Sequence, residues 1–245
     1  MMYAALYDEA PTNAPSGCIW SRQIQIPLDW ISAFLVGQKG ALVRTMHVDA
    51  HFRRGMRVGF TTDACPSGMG GFLCLNGRPV EWFAIPTTQA DADVLGVPFT
   101  NTSECQQSFE ALAMLIALRL WKRHWSFRRC SLAVASDNMA TLSTICRMQA
   151  KSQSLQTIAR EMALDTADAI YEPQVVQHVP GVANVTADAL SRRNEQGPNW
   201  TCPPLLAKAE EVIPPTRDMT WWRSLTAPTA SKGSGRGAAR KGSLT

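Results

Sequence analysis

From residue 57 onward the chain alternates between apolar and polar positions. In RVGFTTDA, residues 57–64, Val58, Phe60 and Thr62 share one parity, the period of a half-buried strand. GGFLCLNG, 70–77, closes on an Asn-Gly pair and PVEWFAI, 79–85, follows it. A tight turn and a three-stranded antiparallel meander are expected. The polar stretch 86–103 reads as a loop. After it comes ECQQSFEALAMLIALRLWKRHW, whose residues 109–121 are apolar nearly all round, as in a centrally buried helix. SLAVASDN, 131–138, is a small-residue strand, and 139–170 is helical with a break near AKSQS. QVVQHV is a last strand and ANVTADALSRR a last helix, with Asn184 as its N-cap. The order β-β-β-α-β-α-α-β-α predicts a mixed sheet with helices on its faces.

The flanks differ in character. Pro11, Pro15 and Gly17 mark a loose leader over residues 1–18. IQIPLDWISAFLVG then predicts a helix started by Pro27, with Ile31, Phe34 and Leu35 near Trp30 forming an apolar face for a neighbour, such as a missing domain. Downstream, CPPLL, IPPTR and the Trp pair at 221 and 222 indicate a Pro-rich extension over 194–225 with some packing. Residues 226–245 are Gly-, Ser- and Ala-rich and basic without an acid, which predicts a disordered tail, either solubilising or touching phosphates.

Composition narrows the class. A chain of 245 residues with 45% apolar content can bury one good-sized core. The net charge of +4 does not by itself demand a nucleic-acid partner. Seven cysteines form no CxxC pair, and no apolar signal segment opens the chain. They read as reduced thiols of an intracellular protein, in cytoplasm or nucleus. Four scattered histidines give no zinc cluster. No run approaches the roughly 18–20 apolar residues of a membrane span, so no membrane partner is expected.

Chemistry enters with the carboxylates. Asp63 closes the first strand and Asp137 the fourth; if those strands are parallel neighbours, about 4.8 Å apart, the two acids converge on one edge of the sheet. Glu110 heads an otherwise apolar helix, where a charge needs a strong partner. Asp188, one turn into the last helix, makes a fourth acid if that helix packs beside the first strand. Four acids meeting from four elements repel each other unless cations separate them. Two Mg²⁺ ions about 3.5–4 Å apart, with Mn²⁺ as the alternative, suit such a site and imply metal-dependent phosphodiester hydrolysis. Each acid alone also has an ordinary reading: Asx turns for Asp63 and Asp137, helix-dipole positions for Glu110 and Asp188. It is their joint placement that favours a site.

TTDACPSGMGG, EALAMLIALRLW, SDN and HVPGVANVTADALSR, in this order over about residues 57–193, resemble the ribonuclease H domain of retroelement reverse transcriptases of the DIRS and gypsy types. The sequence departs in carrying Cys65 where serine is usual. The resemblance implies an α/β, ribonuclease H-like fold, with a five-stranded mixed sheet whose first three strands are antiparallel. It implies cleavage of the RNA strand of RNA/DNA hybrids, with Asp63, Glu110, Asp137 and Asp188 as catalytic metal-binding acids. His178, ten residues before Asp188, falls where the family keeps a histidine thought to help water attack or product release. It also reads simply as the end of a strand. Glu104 competes with Glu110 but lies on another helix face, six residues earlier. Residues 1–50 would be the leader and the connecting segment of an upstream polymerase domain, and 51–193 the ribonuclease H-like domain.

Thr62, Asn138 and Asn184 are candidate substrate contacts by position. In RLWKRHWSFRR, 119–129, five cations and three aromatics suggest a phosphate-gripping patch including Lys122 and Arg123. The same stretch equally reads as a solvated helix end. No adjacent aspartate pair occurs, so a polymerase centre is missing. Two further readings stay open: a catalytically decayed or domesticated module that binds nucleic acid or a polymerase partner, and a DDE-type transposase. The retained acids count against the first, and an aspartate rather than a glutamate on the last helix against the second.

Overall fold

Hairpin chemistry and alternation build the sheet. The computed structural model describes residues 21–40, 56–99, 103–125, 130–138, 141, 150, 152–167, 175–178 and 184–226; the 1–18 leader and the tail beyond Thr226 lie outside the described residues. Strands β1 (Met56–Cys65), β2 (Gly68–Leu75) and β3 (Arg78–Pro86) form the antiparallel meander. Asn76 and Gly77, with φ of 51° and 80°, supply the two left-handed residues that its second turn demands. Strands β4 (Cys130–Ser136) and β5 (Val175–His178) add on in parallel beside β1. This five-stranded mixed sheet with flanking helices, its first three strands antiparallel, is the arrangement that the sequence resemblance implies. A sixth strand, β6 (Glu210–Glu211), extends it to β5-β4-β1-β2-β3-β6. Two charged residues held by backbone pairing at a sheet edge carry no alternation, which is why the sequence shows no strand there.

Each face of the sheet is covered differently. Phe60, Leu73, Phe83 and Val134 lie under α3 (Ser103–Leu120) and α4 (Gln153–Ala167), in one core with Leu112, Leu115, Trp121, Ile158 and Met162. Because α3 is buried nearly all round, its apolar residues have no single stripe, as the sequence indicates. The opposite face presents Trp82, Phe72 and Ala84 to Leu190 of α5 (Val185–Ser191), with Trp200, Leu206 and Ala209 around them.

Three expectations are corrected. The 86–103 loop contains α2 (Gln89–Leu95), capped by a reciprocal Thr88–Asp91 box and ended by Gly96 in the left-handed region; Asp stands where Glu or Gln is the usual box partner, so the polar stretch hides a helix start. The first helix, α1 (Ser21–Leu35), begins six residues before Pro27 and runs through it. Its buried face is Pro27, Trp30 and Ala33, at helical spacing, while Leu35 is exposed. The continuous face outweighs the hydrogen bond that the proline forgoes. Finally, the neighbour of that face lies within the chain: Trp30 Nε1 donates to the Thr226 carbonyl at 3.1 Å and the Arg223 guanidinium lies 5.2 Å from its ring.

The extension is packed along much of its length. After α6 (Arg193–Gln196) it passes Trp200, whose Nε1 donates to the Ala189 carbonyl at 2.8 Å, and then forms β6. Arg217 next grips Asp91 at 2.6 and 2.7 Å. At its end Trp222 enters the main core, and the backbone N–H groups of Arg223 and Ser224 donate to Glu161 at 2.9 and 2.6 Å.

Candidate active site

Parallel pairing of β1 with β4 fixes two of the acids. The register runs to Thr61 opposite Ala135, so Asp63 and Asp137, each two residues further on, stand level at the carboxyl edge of those strands. Asp63 is buried on the side that faces α5, where the Ser191 hydroxyl donates to its Oδ2 at 2.7 Å.

Helices from opposite faces bring the other two acids to this edge. Gln106 Nε2, near the start of α3, donates to the carbonyl of Ala64 at 3.0 Å. Glu110 follows one turn later on the same side of the helix. It is buried and hydrogen-bonded by the side chains of Asn138 and Gln106, yet its Oε2 has no hydrogen-bond partner. On the other face, a β2 made of glycines lets α5 approach closely. A Cβ on Gly70 would lie 2.7 Å from backbone atoms of Leu190 and Ser191, and one on Gly68 would overlap the Ser191 carbonyl. That is the physical content of SGMGG. Asp188 on α5 is half exposed and paired with Arg192 Nε at 2.8 Å.

The acids share one electrostatic field. Burial pushes Asp63 up to about 6 against its bond from Ser191, with the charges of Asp137 and Asp188 adding to the rise. Glu110 is driven further, to about 8, by burial and then by Asp137 and Asp63. The side chains do not close into a ligand cage: among the described residues, no three or more Asp, Glu, His or Cys are grouped as metal ligands. Asp188 is paired instead with Arg192. The donors are all hard oxygens, a set suited to Mg²⁺ or Mn²⁺ and lacking the His and Cys ligands typical of zinc sites.

No protein-family model matches the sequence, and no curated protein matches it. Among solved structures, the chain is similar to RNase H1 of the halophilic archaeon Halobacterium salinarum, at 15% identity and a TM-score of 0.39 over 57% of this chain and 98% of that one. It is also similar to LC11-RNase H1 isolated from compost, at 14% and 0.36 over 57% and 94%. A third likeness is the N-terminal RNase H domain of a Mycobacterium tuberculosis protein, at 11% and 0.35 over 55% and 94%.

The remaining candidates divide. Asn138 lies beside the acids, accepting from the Thr141 N–H at 3.0 Å while bonding Glu110. Asn184 precedes α5 but its side chain makes no capping bond; it donates instead to the Thr62 carbonyl at 3.4 Å. Both Asn184 and Thr62 are buried, which suits them to holding α5 on β1 rather than to touching a substrate. His178 is the last residue of β5, its backbone opposite Ser136 and so one position from Asp137; residues 179–183, which follow it, lie outside the described residues, as do the side chains of His178 and Glu104.

Lys122 and Arg123 are not brought to the acids. They lie beyond the far end of α3, which is itself about 15 Å along its axis from Glu110. Arg123 pairs with Glu81 at 2.7 Å, beside His124 at 2.8 Å from the same carboxylate. Arg119 is taken up at 2.6 Å by both Glu161 and Asp165, each buried. A single phosphate-gripping patch over 119–129 is therefore corrected: two of its cations are spent on acids inside the fold, and residues 126–129 lie outside the described residues. Gln106, Ser191 and Arg192, which were not among the expected site residues, hold the acids; their one local signal is helical spacing, i–4 from Glu110 and i+3 and i+4 from Asp188.

Proposed function

We propose that this chain is a metal-dependent endonuclease that hydrolyses the RNA strand of RNA/DNA hybrids. The observation that carries the reading is the meeting of Asp63, Glu110, Asp137 and Asp188, from β1, α3, the end of β4 and α5, at one carboxyl edge where their charges oppose one another. The partnerless Oε2 of Glu110 supports a role in binding a cation, because a buried acceptor without a partner is costly. Two Mg²⁺ or Mn²⁺ ions held by these four residues would neutralise the reacting phosphate and make bound water acidic enough to attack it. Asn138 and Gln106 orient Glu110, and Ser191 orients Asp63. The sequence resemblance and the end of its strand opposite Ser136 support giving His178 the proton of the attacking water. A hybrid is gripped by shape, phosphates and 2′-hydroxyls rather than by a base-reading helix, in keeping with an open sheet edge.

The retroelement assignment rests on the order and wording of the four sequence blocks. It makes the chain the ribonuclease H part of an intracellular reverse transcriptase, with a polymerase domain upstream as partner. Among the described residues no helix is long and apolar enough to cross a membrane.

The test is incubation of the full chain with a labelled RNA/DNA hybrid and Mg²⁺, beside Asp63→Asn and Asp137→Asn. Cleavage of the RNA strand by the wild type alone is expected. Hybrid binding without cleavage by the wild type would replace the nuclease with a binding module.

A further inference from the structure

Ser191 ends α5 and is fully buried. Its Oγ lies 2.7 Å from Asp63 Oδ2 and 2.9 Å from the carbonyl of Asp188. Its own carbonyl accepts the Cys65 thiol at 3.2 Å, so the serine is fixed to β1 from both ends of the residue. A hydroxyl has one hydrogen to give, and a carboxylate takes it in preference to a helix carbonyl, because charge-assisted bonds are the stronger. Asp63 is thus held by Oδ2, while its Oδ1 makes no hydrogen bond among the described residues. The same division recurs around the site. Arg192 holds Asp188 by Oδ1, and Glu110 is held by Asn138 and Gln106 with its Oε2 left over.

We propose that Ser191 is a positioning residue of the metal site, pinning Asp63 through one oxygen so that the other is presented to a divalent cation. The inference rests on the nuclease reading above, and it gives the serine of DALSR a role beyond helix packing. Without the hydroxyl, the Asp63 carboxylate is free to turn about its last torsion and the single-oxygen presentation is lost.

Mn²⁺ binding to the full chain, followed by the paramagnetic resonance of the free ion, tests this without substrate. Loss of an outer-shell donor costs about 10–100-fold in metal affinity, so Ser191→Ala is expected to bind Mn²⁺ at least about tenfold more weakly than wild type. Ser191→Thr and Ser191→Val add the same bulk and differ in the hydroxyl. Thr is expected to bind more tightly than Val by a similar factor, and this pair decides the matter if the alanine variant does not fold. Asp63→Asn sets the floor. Equal affinities for the Thr and Val variants, or wild-type affinity in Ser191→Ala while Asp63→Asn has lost it, would overturn the positioning role alone. A wild type that binds no Mn²⁺, or binds it no better than Asp63→Asn, would overturn the metal reading and this one together.

Discussion

Glu110 carries an unfavourable charge that the fold imposes on it. Its carboxyl titrates at about 8, against 4.5 for an unperturbed glutamate, because it is buried and faces Asp137 and Asp63. Between those values the folded protein keeps a proton that the unfolded chain has released. Stability of the metal-free protein therefore falls as pH rises from 4.5 to 8, and the loss is complete above 8. Glu110→Gln removes it. The variant is expected to melt higher than wild type above pH 8, by up to a few kcal/mol at about 1.4 kcal/mol per pKa unit, and to lose the advantage below pH 4.5. Thermal melts across pH in the presence of a chelator read this directly; a pH-independent difference would show that burial of the charge is not the cause. Added Mg²⁺ is expected to release protons below pH 8, since ligands bind in their ionised form, seen as a buffer-dependent heat. The four acids stood out in the sequence because Asp63 and Asp137 come at the ends of strands, Asp188 in the first turn of its helix, and Glu110 as the one charge within the apolar run of α3. Their donors were less so: Ser191 reaches Asp63 across 128 residues and Gln106 reaches Ala64 across 42, and no local pattern announces such partners.

Elements set the positions that residues then use. The closeness of α5 to β2 brings Asp188 and Ser191 to the edge where Asp63 stands, and it depends on Gly70 having no side chain. Gly70→Ala would set a methyl against backbone atoms of Leu190 and Ser191, which cannot rotate away. The expected result is a loss of about 1–3 kcal/mol, as for overpacking in general, measured by denaturant unfolding. Hydrolysis should fall more than in Gly59→Ala, where an added Cβ meets only ordinary contacts with Ala133 at 3.6 Å. Unchanged stability would mean that α5 slides without cost. Elements with a long apolar period were readable: β1 to β3 from alternation and the Asn-Gly turn, α3 from its all-round apolar character. Those held by polar devices were not. The start of α2 is a Thr88–Asp91 box closed from outside by Arg217, and β6 is two glutamates on an edge, so neither carries a hydrophobic signature.

At the scale of the molecule, the folding unit reaches past the ribonuclease H-like part. Glu161 is fully buried and receives Arg119 together with the N–H groups of Arg223 and Ser224, while Arg223 reaches Asp165 at 2.9 Å. Arg119 and Arg223 thus offset two buried acids, one cation coming from the domain and one from the extension. A chain ending at Arg193 would leave Glu161 with fewer donors and open the core where Trp222 sits. Removing one partner of a buried ion pair costs about 3–5 kcal/mol, and truncating a core tryptophan about as much. Together these approach the whole stability of an ordinary domain, about 5–15 kcal/mol. The 57–193 segment that carries the sequence resemblance is therefore expected to be loosely packed on its own, with weak near-ultraviolet circular dichroism. Trp222→Ala in the full chain separates packing from catalysis. It should lower stability by about 3–5 kcal/mol yet leave Mn²⁺ affinity unchanged at temperatures where the protein stays folded, because Trp222 belongs to the core of the α3 face and not to the carboxyl edge. Loss of Mn²⁺ affinity by folded Trp222→Ala would instead mean that the extension, acting through α3, sets the position of Glu110.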